Sequence, residues 1–140
     1  MTEGKDHRKY RVRRGLHGLG LVSVAPFRRG ERVIEYVGEI VDDAEADRRS
    51  NRYLFEVRKD VNIDGSTRRN LARYVNHGCR PNCTDRIVGN RVFYAALRDI
   101  KAGEELTVDY GKTYYDHYIA PYGCRCGAKR HRKVPVKKSK

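Results

Sequence analysis

Asn76 and His77 close an apolar approach, Asn70-Leu-Ala-Arg-Tyr-Val, and run into Gly78, Cys79, Arg80, Pro81, Asn82 and Cys83. This places side chains able to bind a ligand where a strand is expected to stop. The same residue types also satisfy backbone groups in an ordinary turn, so the Asn-His pair alone identifies no reaction. Cys124 and Cys126 form a second group: being two apart, they suit clamping one ion better than bridging each other. The four cysteines would pair as two disulfides in a secreted protein, but the N-terminus has no apolar stretch behind its charges, so metal ligation or free thiols are expected.

Positioning these groups falls to short strands. Residues 18–24 alternate in parity, and residues 32–41 form a β-branched run bounded by Arg29-Gly30, which reads as one continuous strand. Residues 42–49 open on a capping Asp42, carry acids early and end on Arg48 and Arg49, the charge order that a short helix favours. Residues 53–57, 61–64, 92–97 and 106–110 read as further strands, the last after the Lys101-Ala-Gly-Glu104 turn. The class expected is mainly β, of the α+β kind.

At 140 residues the chain has room for one core. No apolar run approaches the ~20 residues of a membrane span, so no membrane partner is expected. The net charge of +13 is concentrated at the ends: residues 5–14 hold six Lys and Arg, and residues 129–140 hold seven with no acid. Such arms are solvated tails or contacts to nucleic acid and acidic proteins.

Gly18-Leu19-Gly20, Glu35-Tyr-Val-Gly-Glu39, Tyr53-Leu54-Phe55, the Asn76-His77 segment and Glu105-Leu-Thr-Val-Asp-Tyr110 follow in the order and spacing of the SET-domain protein-lysine methyltransferases, with Cys124-Arg-Cys-Gly127 behind them. The chain resembles that family over residues 13–132. The resemblance implies a SET fold of small curved sheets, in which the Asn-His segment and residues 105–110 cross as a pseudoknot, followed by a short post-SET zinc segment. It divides the chain into a basic arm (1–12), the SET domain (13–116), the zinc segment (117–133) and a basic tail (134–140).

The same resemblance implies S-adenosylmethionine as methyl donor, held by Gly18, Leu19, Gly20, Arg73, Asn76 and His77, with Tyr110 and Tyr53 as catalytic residues of the lysine channel. It implies one zinc on Cys79, Cys124, Cys126 and His131, the histidine standing where the family has a fourth cysteine, and Cys83 as a packing residue. Tyr36 and Tyr74 match no channel position. Gly78 stands where serine is common, and Val108 where some members carry an aromatic residue that sets how many methyl groups are added. The donor sulfonium is already activated, so the task is to position a neutral amine for in-line displacement, with no Asp-His or Cys nucleophile expected.

The implied substrate is a protein lysine, on a histone or another basic nucleic-acid-associated protein. The implied location is intracellular and soluble: cytoplasmic in a prokaryote, nuclear in a eukaryote. The rival reading is a catalytically silent SET-like module that serves as a nucleic-acid or chromatin adaptor through its cationic ends. Retention of Tyr110 with Asn76-His77 favours the enzyme.

Overall fold

The computed structural model describes residues 9–15 and 18–111. Among the described residues there are three small sheets and one short α-helix, with the core between the sheets. Strand β1 (Tyr10–Gly15) pairs antiparallel with β2 (Gly18–Ser23). The expectation gave residues 10–12 to a basic arm; they are strand, anchored by a Tyr10 that is 1% exposed. The five residues after Tyr10 are all exposed, so β1 shows no apolar alternation to announce it.

The single strand expected over 32–41 is two strands in different sheets, β3 (Arg32–Tyr36) and β4 (Glu39–Val41). The break falls at Gly38, where a Cβ would stand 2.0 Å from the Asp64 carbonyl oxygen. The chain passes so close to Asp64 that only glycine fits. β4 joins β5 (Leu54–Arg58) and β6 (Val61–Asp64) in the order β4-β6-β5.

Helix α1 (Asp43–Arg49) forms where expected: the Asp42 carboxylate accepts the Glu45 N–H at 2.8 Å, a cap worth about 1 kcal/mol. Its last turn is tied to the neighbouring sheet by Arg49, which reaches Glu39 at 2.9 Å and Asp64 at 3.0 Å.

The third sheet has the order β3-β9-β8-β10-β7, with β7 Asn76–His77, β8 Cys83–Val88, β9 Arg91–Ala96 and β10 Thr107–Val108. β8 was not expected. It forms a tight hairpin with β9 through Gly89-Asn90, where Gly89 has φ +61° and Val88 pairs with Arg91; that Gly-Asn turn is the signal that could have found it. β10 runs parallel to both β7 and β8, with Val108 facing His77 on one side and Cys83 on the other. The C-terminal strand therefore lies between two strands that are consecutive in sequence, and the loop 78–82 passes over it. This is the crossing that the SET resemblance implies. The approach to Asn76 is a 3-10 helix, Leu71–Tyr74, instead of a strand. It is held by fully buried Asn70, whose side chain donates to the Gly65 carbonyl at 3.0 Å and accepts the Val37 N–H at 3.1 Å.

Candidate active site

β10 is short because its work is local: two residues long, it sets Asn76 beside Thr107 and His77 beside Val108. Asn82 locks this register. Its amide donates to the Glu105 carbonyl at 2.9 Å and accepts the Thr107 N–H at 2.8 Å, all with the side chain buried. A buried amide with both ends paired fixes geometry as well as adding stability. Gly78 packs on the same strand, where a Cβ would come within 2.8 Å of the Thr107 Cβ, so a larger residue at 78 needs Thr107 to move.

From this crossing Asn76 reaches across to β2. Its Nδ2 donates to the Leu19 carbonyl at 3.0 Å and to Glu105 Oε2 at 2.8 Å. Both N–H bonds of the amide thereby tie the glycine-flanked turn of β2 to the C-terminal segment. Gly20 permits the approach, since a Cβ there would be 2.6 Å from Glu105 Oε2 and 3.1 Å from Asn76 Nδ2. Gly18, at φ +94°, makes the turn into β2.

His77 is buried behind Asn76. Its Nδ1 accepts the Tyr110 backbone N–H at 3.1 Å, so in the neutral ring the proton sits on Nε2, which lies 3.3 Å from Cys79 Sγ. Asp109 Oδ1 stands 3.8 Å from Nδ1. The Tyr110 hydroxyl donates to the Val75 carbonyl at 2.5 Å, and its ring lies 5.5 Å from the His77 ring.

These groups border a cavity of about 510 Å³, within the usual range for a small-molecule site. Leu19, Tyr53, Arg73, Asn76 and Tyr110 line it, whereas Gly18, Gly20 and His77 are not among its lining residues. Arg73 stacks its guanidinium 4.3 Å from the Tyr53 ring centre and donates to the Ser66 carbonyl, leaving its buried Nε without a partner among the described residues. A cation stacked on an aromatic face with a spare donor suits an anionic ligand group. Tyr53 anchors the same wall through its backbone: its carbonyl accepts the Tyr36 hydroxyl at 2.6 Å and the Gly65 N–H at 3.0 Å.

Much of the lining carried no assignment in the sequence. Tyr36 and Tyr74, credited with no place in a channel, both line the cavity, as do Phe55, Asp85 and Tyr94. Tyr36 lies 5.4 Å from Phe55 and 6.0 Å from Tyr94, ring centre to ring centre. Burial drives the Tyr94 phenol well above its ordinary pKa, with Tyr36, Tyr110 and Asp85 adding to the effect, so it stays a neutral donor. No local sequence signal gathers them, because Tyr36, Phe55, Asp85 and Tyr94 lie on four different strands, with Tyr94 facing Asp85 across the β8–β9 ladder.

Cys83 sits in the core 1% exposed, its thiol pushed up to about 12 by burial; it is neither nucleophile nor thiolate ligand. Cys79 is half-buried beside His77. Cys124, Cys126 and His131, the other expected zinc ligands, lie outside the described residues, as do the expected zinc segment and basic tail. Among the described residues no three His, Cys, Asp or Glu side chains gather as a metal site.

Residues 18–111 match the SET domain family. The histone-lysine N-methyltransferase trithorax of Drosophila virilis is 37% identical over 130 residues, covering 84% of this chain and 3% of that protein. The H3 lysine-4 specific histone-lysine N-methyltransferase of Schizosaccharomyces pombe is 39% identical over 127 residues, covering 81% of this chain and 13% of that protein. The histone-lysine N-methyltransferase ASHH3 of Arabidopsis thaliana is 39% identical over 137 residues, covering 88% and 37%. The chain thus spans well under half the length of these relatives. With the family matched across all three sheets, and with the Asn76-His77 strand crossing the strand before Tyr110, the chain belongs to the SET domain family.

Proposed function

We propose that the chain transfers a methyl group from S-adenosylmethionine to a lysine side chain of a protein, a histone or another basic nucleic-acid-associated protein. The observation that carries this reading is the Tyr110 hydroxyl, fixed by Val75 at the wall of an aromatic cavity whose other side is the Asn76-held turn of β2. The similarity to proteins named histone-lysine N-methyltransferases supports it.

When bound, the donor supplies a methyl group already activated on a sulfonium. Gly18, Leu19, Gly20, Asn76 and His77 would hold it, with Arg73 suited to its carboxylate. Tyr110 orients: its oxygen can accept from the amine or contact the polarised methyl group. Tyr53 supports Arg73 and narrows the wall. An amine near pKa ~10.4 must lose its proton before the bond-making step, and the positive charge of a bound donor beside it would favour the neutral form. Incubating the protein with labelled donor and recombinant core histones tests the reading; it predicts label on histone lysine, and failure to label core histones or any protein of a whole-cell extract refutes it.

Zinc is the second part of the proposal. Cys79, Cys124, Cys126 and His131 make a Cys3His set, a composition that closes a tetrahedral site. At Cys79 the fit rests on His77, whose Nε2 lies 3.3 Å from the sulfur and would help to orient it as a ligand. Metal analysis should find one zinc per chain, lost in His131→Ala and kept in His131→Cys; zinc-free protein purified without chelator counts against it.

Nucleic-acid contact is proposed for the cationic ends. Arg11, Arg13 and Arg14 on β1 are exposed and make no ion pair among the described residues. Trimming residues 134–140 should flatten the salt dependence of DNA binding, since the slope follows the number of phosphates neutralised. A histone substrate would place the reaction in the nucleus of a eukaryote, or the cytoplasm of a prokaryote. Among the described residues no helix is long and apolar enough to cross a membrane.

A further inference from the structure

Asp85 is an exposed acid at the rim of the aromatic cavity. It sits on β8, two residues after buried Cys83, and lines the aromatic cavity directly across the ladder from Tyr94. Many other acids of the described residues are engaged. Glu35, Glu39, Glu45, Asp64 and Glu104 each take an arginine, Asp42 caps α1, and Asp109, the other carboxylate of the cavity wall, accepts the Gly111 N–H at 2.9 Å and faces His77. Among the described residues Asp85 takes no hydrogen bond and no ion pair, in a chain with thirteen positive charges in excess.

The cations of the cavity do not neutralise it. Arg73 and Arg52 are both drawn to the Tyr53 wall, 4.3 Å and 5.6 Å from that ring. Around Asp85 the walls are Tyr36, Phe55, Tyr94 and Tyr110, rings whose faces attract a cation. A carboxylate at the rim of an aromatic box is the chemistry that holds an alkylammonium: charge from the acid, cation–π and apolar contact from the rings.

We propose that Asp85 is the anchor that captures the cationic side-chain amine of the substrate and selects it against neutral side chains of equal length. It rests on the methyl-transfer reading for what is captured, not for the capture itself. Asp85 is a specificity-determining residue and not a base. Its charge favours the protonated amine, so it strengthens encounter and leaves loss of the proton to solvent, before the bond-making step. The effect belongs in KM and not in kcat.

The test uses the full chain saturated with S-adenosylhomocysteine, and n-butylammonium and butan-1-ol as charged and neutral probes of the lysine side chain. Ligand-observed NMR should give the wild type about tenfold preference for n-butylammonium, a size suited to one partly exposed charge pair with ring contacts. Asp85→Asn should abolish the preference and Asp85→Glu should keep most of it. With core histones as substrate, Asp85→Asn should raise KM roughly five- to tenfold and change kcat less than about twofold. Glu56→Gln, an acid outside the cavity, should change neither. Equal binding of the two probes by the wild type, or an undiminished preference in Asp85→Asn, overturns the anchor. Charge-selective binding through Asp85 in a protein that labels no substrate upholds the anchor and refutes the methyl-transfer reading.

Discussion

The two ring nitrogens of His77 face different neighbours, Tyr110 N–H at Nδ1 and Cys79 Sγ near Nε2, so one imidazole links the backbone of the proposed catalytic tyrosine to the proposed zinc ligand. Tyr110 depends on that support and on Val75. Tyr110→Phe keeps the ring beside His77 but removes the hydroxyl, leaving the Val75 carbonyl without this donor at a cost of about 1 kcal/mol. The variant should fold and lose methyl transfer by about 100-fold, the scale of removing one positioned polar group; turnover close to wild type in a labelled-donor assay would remove Tyr110 from the site. Asn76→Ala should act differently. It frees the β2 turn from Glu105 and Leu19, so calorimetry should show S-adenosylhomocysteine binding weakened about tenfold with the fold intact; unchanged affinity would mean that Asn76 does not shape the donor site. Asn76, His77 and Tyr110 were legible because they are embedded in ordered motifs. Asp85 and Tyr94 were not, since their meeting depends on the register of a hairpin in which β8 had gone unseen.

Register also explains which elements were legible. α1 announced itself through Asp42, its early acids and its late arginines, all local signals, and β2 through the alternating parity of residues 18–24. The division of residues 32–41 depends instead on a contact with Asp64, some twenty-five residues on, which no local pattern records. Placing β10 between β7 and β8 is of the same kind: two residues pair with partners about thirty positions earlier, and only the family resemblance supplied the crossing. Gly38 is where this non-local packing can be tested. In Gly38→Ala the new methyl group would overlap the Asp64 carbonyl, which is backbone and cannot rotate away, so β3 and β4 must separate. The expected loss is about 3 kcal/mol or more by denaturant unfolding. Gly15→Ala is the matched control, because a Cβ there meets nothing nearer than the Gly18 carbonyl oxygen at 4.0 Å. Equal stability of the two variants would show that the close approach at Gly38 is not a constraint on the fold.

Across the whole molecule, charge sets the conditions under which the fold holds. Thirty-one Lys and Arg face eighteen Asp and Glu, and the acids that matter most are spent inside the fold. Burial alone would raise the Asp64 carboxyl, but hydrogen bonds from Ser66, Arg49 and Asn51 outweigh it and hold the group below its ordinary range. Glu104 is likewise held down, chiefly by Arg98 and with help from the Lys101 N–H. A carboxylate with a lowered folded-state pKa stabilises the protein fully above its unfolded value of about 4, and that contribution is lost as pH falls through the folded value. Asp64 joins α1 to the three-stranded sheet, and Glu104 orders the turn that leads into β10, so both losses loosen elements around the cavity. Acid also leaves the basic residues unopposed, and their mutual repulsion favours an expanded chain. The melting temperature should therefore be flat from about pH 7 to pH 5 and fall steeply below about pH 4. Salt separates the two causes. At about 0.5 M the Debye length shrinks to a few ångströms, so screening should restore the part of the acid loss that comes from repulsion between exposed charges. It should restore less of the part that comes from Asp64, whose side chain is only 9% exposed. Asp64→Asn should thus lower the melting temperature at pH 7 and flatten its fall below pH 4, in high salt as in low. A wild-type melting temperature that does not change down to pH 3, or an Asp64→Asn variant with the wild-type acid profile, would show that these carboxylates do not hold the fold together.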